Sequence, residues 1–263
     1  MVKFYSSSDS YDYSFPAVSL AYFLRYPNPY STHVLSTDVI SRDYDPATQR
    51  LTTVRLHLKR SKLPTAILKL LPRALLGASA QGDSQSLVLE KSIVDVKEGW
   101  MKTESQNLEL TGVLSVIESQ VFQRRLDASS ATPAVAGDLF GQQAPQRTDV
   151  TTTVMLKSRI GENFRRRRAR LAEEAGGQEP GIETETETES EQPEKVGFFK
   201  SWASQGMQKS IEVIGLRRAE KSQPKAKEGM TVVLERMRKG GLVAVLEGMR
   251  RDRELMFAGP QAA

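Results

Sequence analysis

The sequence predicts an α+β protein built on a curved antiparallel sheet of about seven strands, with helices packed around it. Three observations carry that expectation. Short segments alternate apolar and polar residues, the signature of strands with one covered face. They are joined by polar turns such as Asp45-Pro46-Ala47-Thr48 and Asp95-Val96-Lys97-Glu98-Gly99 rather than by helical crossovers, which favours a meander over β-α units. Helical periodicity is confined to a short stretch near the start and a long one at the end.

In chain order, residues 3–14 alternate aromatic and polar groups (Phe4, Tyr11, Tyr13) and predict the first strand. Pro16 opens a short helix in which Ala17, Val18, Leu20, Ala21, Phe23 and Leu24 leave no polar side, so it is a buried helix. Strands follow at 34–44 and 50–60. In the second, Leu51, Thr53, Arg55, His57 and Lys59 share one face while Val54, Leu56 and Leu58 share the other. Further strands are expected at 86–95, 99–108, 113–125 and 150–158. Residues 127–147, rich in Ala, Ser, Pro, Gly and Gln, read as a flexible insertion. Residues 160–195 hold an arginine run (Arg165 to Arg170) and a Thr-Glu repeat (Glu183 to Glu191), which cannot bury enough apolar area to order themselves. From Gly197 to Leu216 an apolar stripe at Phe199, Ala203, Met207, Ile211 and Ile214 predicts a helix, interrupted afterwards by Pro224. A last amphipathic helix is expected from Gly229, with Gly240-Gly241 as its weak point. The expected organisation is one domain over 1–250 and a flexible tail over 251–263.

Composition narrows the chemistry. The chain of 263 residues has no cysteine, which excludes disulfides and thiolate chemistry, and only two histidines, His33 and His57. No phosphate-cradling glycine loop, zinc-protease helix or nucleophile elbow occurs, so neither enzyme activity, metal nor cofactor is expected. The net charge of +5 hides opposite blocks and says little about the whole molecule. The arginine run suits anionic lipid or nucleic acid, and equally a solvated tract paired with the acidic repeat; no nucleic-acid partner is expected. No apolar run reaches membrane-spanning length, and the start of the chain has neither signal-peptide nor transit-peptide character.

Two stretches are more specific. Residues 25–38, RYPNPYSTHVLSTD, place Arg25 and His33 on a stiff corner between helix and strand, because Pro27 and Pro29 fix two backbone angles. By itself this is a structural corner bearing a surface arginine. Residues 63–80 hold Leu63, Pro64, Ile67, Leu68, Leu70 and Leu71 among Lys62, Lys69 and Arg73. That greasy, charged segment fits a core-packing helix or one lying at a headgroup boundary.

The corner, continued as RYPNPYSTHVLSTDVISR, together with the Lys-Leu-Pro at 62–64, resembles the PRELI family of mitochondrial lipid-transfer proteins, nearest its phosphatidic acid branch. The resemblance is close through Gln123 and resumes from Met155 and from Gly197 to Met237. It implies a START-like or phosphatidylinositol-transfer-like fold enclosing an apolar lipid cavity. It implies carriage of phosphatidic acid across the mitochondrial intermembrane space, in support of cardiolipin synthesis, without a cleavable presequence. The headgroup-binding residues it implies are Arg25, Lys59, Lys62, Arg218 and Lys225, with His33 and Arg55 lining the site. Residues 63–80 become the cavity's lid and membrane contact. The implied partners are a small helical protein with twin Cys-x9-Cys motifs and, transiently, anionic mitochondrial membranes. Pro224 departs from the uninterrupted helix of the family, and the 160–195 block has no counterpart there. Alternatives are phosphatidylserine as cargo, moved by a sister branch, or a membrane scaffold that transfers nothing.

Overall fold

The computed structural model describes residues 2–62, 83–109, 111, 114–125, 146–158 and 196–258. The expected lid at 63–80, nearly all of the 127–147 insertion and the 160–195 block lie outside the described residues.

Seven strands form one antiparallel sheet: β1 (Val2–Tyr11), β2 (Val34–Asp45), β3 (Arg50–Lys62), β4 (Asp83–Asp95), β5 (Trp100–Asn107), β6 (Leu114–Arg124) and β7 (Thr148–Ser158). Their order is β1-β7-β6-β5-β4-β3-β2, so consecutive strands from β2 to β7 are neighbours and β1 closes against β7. This is the meander the polar turns predict. Edge strand β2 is broken by bulges between Val34 and Ser36 and between Val39 and Ser41, and it leaves Val39, Ile40 and Tyr44 exposed. Bulges at an edge bend the strand away from further pairing.

Helix α1 (Phe15–Phe23) crosses from β1 toward the corner. Ser14 in extended conformation accepts a hydrogen bond from the Ala17 N–H, and Pro16 sits in the first turn, where its missing donor costs nothing. Phe15, Ala17, Val18, Ala21 and Tyr22 are all buried. Full burial of a side chain such as Val18 contributes roughly 1.5–3 kcal/mol.

Helix α2 (Val196–Phe257) packs on β1, β7 and α1. The predicted interruption at Pro224 does not occur: the helix runs through it. A proline removes one hydrogen bond and crowds the preceding turn, but contacts on both sides hold this segment. Gln223 reaches Glu118 of β6, and Lys227 pairs with Asp9 of β1 at 2.8 Å. Just beyond, Gly229 lies so close to the Asn28 side chain that a Cβ there would approach it to 2.8 Å. The helix breaks instead at Gly240-Gly241, where Gly241 has φ +62°, a conformation that disfavours any other residue. It then continues to Phe257, so residues 251–257 are helix rather than tail.

Register stacks the inner face of the sheet into rows. One row, Leu51, Val94, Met101, Phe122 and Val150, is apolar and carries the core with Tyr11 of β1, α1 and Met230, Val233, Leu234, Met237 and Val245 of α2. The next row is polar from edge to edge: Thr53, Ser92, Thr103, Gln120, Thr152 and Ser7. The third holds Arg55, Glu90, Ser105 and Glu118. The polar face of β3 is therefore the inner one, and Val54, Leu56 and Leu58 are half-buried on the outside.

Candidate functional site

Pairing of β3 with β4 sets Arg55 directly opposite Glu90 on the inner face. Both are shut from solvent, with side-chain exposures of 2% and 0%. The Arg55 guanidinium donates to Glu90 Oε1 from Nε at 2.9 Å and from Nη2, while its Nη1 donates to the Phe23 carbonyl at 3.0 Å. The same β3–β4 pairing puts His57 one row further along; its Nδ1 meets the Thr37 hydroxyl at 2.9 Å.

The corner supplies the other cation. Leu24 ends α1, the Tyr26–Pro27 bond is cis, and the Asn28 side chain accepts from the Tyr30 N–H while donating to the Arg25 carbonyl. These bonds hold Arg25 pointing inward, its guanidinium over the rings of Tyr22 at 3.9 Å and Tyr26 at 4.7 Å. It donates to Glu90 Oε2 at 2.7 Å, beside the Tyr22 hydroxyl at 2.8 Å. His57 Nε2 faces that oxygen at 3.3 Å, an electrostatic contact without hydrogen-bond alignment.

Glu90 is thus the hub of a buried network joining the corner, α1, β3 and β4. Burial alone would raise its carboxyl, but Arg25, the His57 contact and Arg55 outweigh burial and hold it well below the usual carboxylate range. Burial lowers His57, with Arg25 and Lys59 adding to the effect against the pull of Glu90. Glu118 also lies within electrostatic reach of Arg25. The two arginines of this inner group therefore face two carboxylates.

A second cationic group stands toward the open end of β2 and β3. His33 immediately precedes β2, and its carbonyl accepts from the Arg60 N–H at 2.7 Å, which ties the corner to β3. Burial, then Lys59 of β3, then Arg218 and Lys225 of α2 depress its imidazole to about 4. Three cations from two elements thus act electrostatically on one histidine. Lys59 is four residues from Arg55 on the same strand, roughly 13 Å away along its axis. The inner and outer groups are therefore rooted at separate positions along β3, with His57 between them acted on by both Arg25 and Lys59.

Of the residues singled out in the sequence, the register sets Lys59 beside His33, Arg218 and Lys225 lie within electrostatic reach of His33, and Arg25 and Arg55 sit on Glu90. Lys62 ends β3 opposite Asp83, its side chain outside the description, as are Leu63, Pro64, Ile67, Leu68, Leu70 and Leu71. Sequence inspection missed Glu90 and Tyr22. The available signal was an acid, Glu90, inside the largely apolar run SLVLEKSIV, on a strand expected to pair with one carrying Arg55 and His57.

The inner face leaves polar atoms unmatched. Ser7 Oγ, Thr53 Oγ1, Arg25 Nε and His57 Nε2 are buried and hydrogen-bond to nothing among the described residues. Such atoms are rare in folded proteins, and a polar group bound at this face would satisfy them. Among the described residues no group of three or more His, Asp or Glu is placed to hold a metal ion, and no helix is long and apolar enough to cross a membrane. What the arrangement can do chemically is offer cations and hydrogen-bond donors to an anion.

Comparison with known proteins fits this geometry. Residues 16–158, from α1 through β7, match the PRELI-like family. The chain is 38% identical over 138 residues to "Protein UPS1, mitochondrial" of Saccharomyces cerevisiae, which covers 52% of this chain and 71% of that one. It is 37% identical over 119 residues to "Protein ups1 homolog" of Schizosaccharomyces pombe, covering 45% and 63%. It is 33% identical over 146 residues to human "PRELI domain-containing protein 1, mitochondrial", covering 54% and 63%. The chain thus spans somewhat under two thirds of the last two relatives and somewhat over two thirds of the first. A matched segment covering the corner, the Arg55–Glu90 pair and all strands but the first leaves one assignment: the chain belongs to the PRELI-like family.

Proposed function

We propose that this protein is a mitochondrial phospholipid carrier that takes phosphatidic acid between the outer and inner membranes, through the intermembrane space, and so supplies cardiolipin synthesis. The observation that carries the reading is the β2–β3 register, which pairs Val34 with Lys59 and so sets Lys59 beside His33, with Arg218 and Lys225 of α2 within electrostatic reach. A phosphomonoester bears between one and two negative charges near neutral pH and cannot leave water without cations around it. Lysines and arginine arriving from a strand and a helix enclose such a group from two sides, and a neutral imidazole adds a hydrogen-bond partner. Lys62, three residues beyond Lys59 at the end of β3, is a further cation assigned to the headgroup. Arg25 and Arg55 serve beneath it, where Glu90 fixes them.

The acyl chains need an apolar enclosure, since leaving a methylene in water costs about 0.8 kcal/mol. Val154 and Leu156 of β7 and Ile211 of α2 are buried between sheet and helix and begin such a surface; Leu63, Pro64, Ile67, Leu68, Leu70 and Leu71 would complete it as a lid. The small helical partner fits the outer face of the sheet, where Leu56, Leu58, Leu87 and Leu89 form a half-buried apolar block across β3 and β4.

Transfer between donor and acceptor liposomes tests the reading, with Lys59→Glu and Lys225→Glu made separately. Both are expected to reduce phosphatidic acid transfer at least tenfold while leaving the thermal midpoint unchanged, because neither side chain belongs to the core. Transfer of phosphatidic acid at the wild-type rate in both variants would overturn it. A stronger effect on phosphatidylserine would transfer the assignment to that lipid.

A further inference from the structure

Beyond the Gly240-Gly241 break, α2 turns back on itself and is fixed on one side. Val245 is fully buried in the core, Met249 packs against it, and Asp252 forms a bidentate pair with Arg236 at 2.6 and 3.1 Å. These residues recur at helical spacing and define the docked face. The adjoining face is open. Leu242, Val243, Leu246 and Phe257 are 49%, 66%, 50% and 65% exposed, and Arg250 and Arg253 lie in the same stripe. Arg238, Lys239 and Arg251 flank it, so that five exposed cations stand against two exposed carboxylates, Glu247 and Glu254.

An apolar stripe interleaved with arginines on a helix that is locked from behind is built for a surface that is greasy beneath and negatively charged on top. The chain's own acidic repeat, Glu183 to Glu191, carries no apolar side chain that can cover Leu242, Val243 and Leu246. A second copy meeting this stripe about a two-fold axis would oppose arginine to arginine. We infer that the segment 242–257 is a membrane-docking helix that lays Leu242, Val243, Leu246 and Phe257 into the headgroup boundary of an anionic bilayer while Arg250 and Arg253 bind its phosphates. This deepens the carrier reading by naming the element that meets the membrane, and depends on it only for its purpose; docking itself requires no cargo.

The full chain is tested by co-sedimentation with phosphatidylcholine vesicles with and without phosphatidylglycerol, neither containing the proposed cargo. Wild type is expected to bind the anionic vesicles and not the neutral ones. Arg250→Glu/Arg253→Glu is expected to weaken binding at least ~25-fold, from about fivefold per interfacial cation. Because the chain has no cysteine, Leu246→Cys accepts a single environment-sensitive dye, whose emission is expected to shift blue on anionic vesicles. Wild-type sedimentation by the charge-reversed variant would overturn the inference. So would a blue shift that follows protein concentration without vesicles, or one produced by an acidic peptide and not by vesicles. Lys59→Glu separates the two proposals: it is expected to sediment normally while losing transfer, and wild-type transfer by it and by Lys225→Glu would sink the cargo site and leave the docking helix standing.

Discussion

Glu90→Gln is the sharpest perturbation the structure offers. The carboxylate is fully buried and accepts hydrogen bonds from Tyr22 and Arg25 on one oxygen and from two nitrogens of Arg55 on the other. Glutamine keeps the shape but loses the charge, and its amide group turns a donor toward a donor. Arg55, 2% exposed, and Arg25, 13% exposed, then lie in the interior with that counter-charge gone. Removing one partner of a buried ion pair costs ~3–5 kcal/mol, because the remaining charge is left uncompensated. Against the ~5–15 kcal/mol that hold a typical domain together, this is a large fraction. Urea unfolding at pH 7 should show the midpoint fall with an unchanged slope. The pH dependence has a definite sign. The folded carboxyl lies below its ordinary 4.5, so its contribution is fully present above that value and fades as pH drops through the folded one. The gap between wild type and Glu90→Gln should therefore stay constant from pH 7 to 5 and narrow in more acid solution. A double-mutant cycle with Arg55→Met and Glu90→Met should return a coupling of roughly 1–3 kcal/mol. A loss below about 1 kcal/mol for Glu90→Gln, or no coupling in the cycle, would refute the reasoning.

Other expectations follow from the same geometry. His33, depressed to about 4, should titrate well below its ordinary 6.5 by NMR in the free protein; an anionic headgroup that offsets Lys59, Arg218 and Lys225 should move it upward, so binding takes up protons between those two values, and an unmoved titration would count against headgroup contact there. Arg25→Glu should lower the thermal midpoint sharply by placing a second carboxylate against Glu90, whereas Lys59→Glu should not; equal midpoints would contradict the division into inner and outer groups. Gly241→Ala should cost about 1 kcal/mol through its positive φ, read by thermal unfolding, with no such loss expected at an exposed helical site such as Glu247→Ala.

The sheet was largely legible in the sequence. Turn chemistry at Asp45-Pro46-Ala47-Thr48 and after Asp95 located the hairpins, and period-two patterning placed the strands within a few residues. The break at Gly240-Gly241 was legible for the same local reason. Pro224 misled, since a residue acts on its own turn while Lys227–Asp9 and Gln223–Glu118 act from strands far away in sequence. Arg25 and His33 were visible in an unusual corner, and Lys59, Arg218 and Lys225 were named only through the family resemblance. Their division into two groups was not, because it depends on where Glu90 and Glu118 stand.

What the sequence settled by itself was local: alternation made strands, apolar crowding made α1 a buried helix, and two prolines stiffened the corner at Arg25. Which face of β3 turns inward was not local. Patterning put Val54, Leu56 and Leu58 on one face and Thr53, Arg55 and His57 on the other without saying which is covered, and the sheet turns Thr53, Arg55 and His57 inward. Only the register of β3 against β4, which delivers Glu90 to Arg55, and the corner, which delivers Arg25 to Glu90, make that burial affordable. A charge can be buried only where its partners arrive, and arrival is a property of the assembled fold.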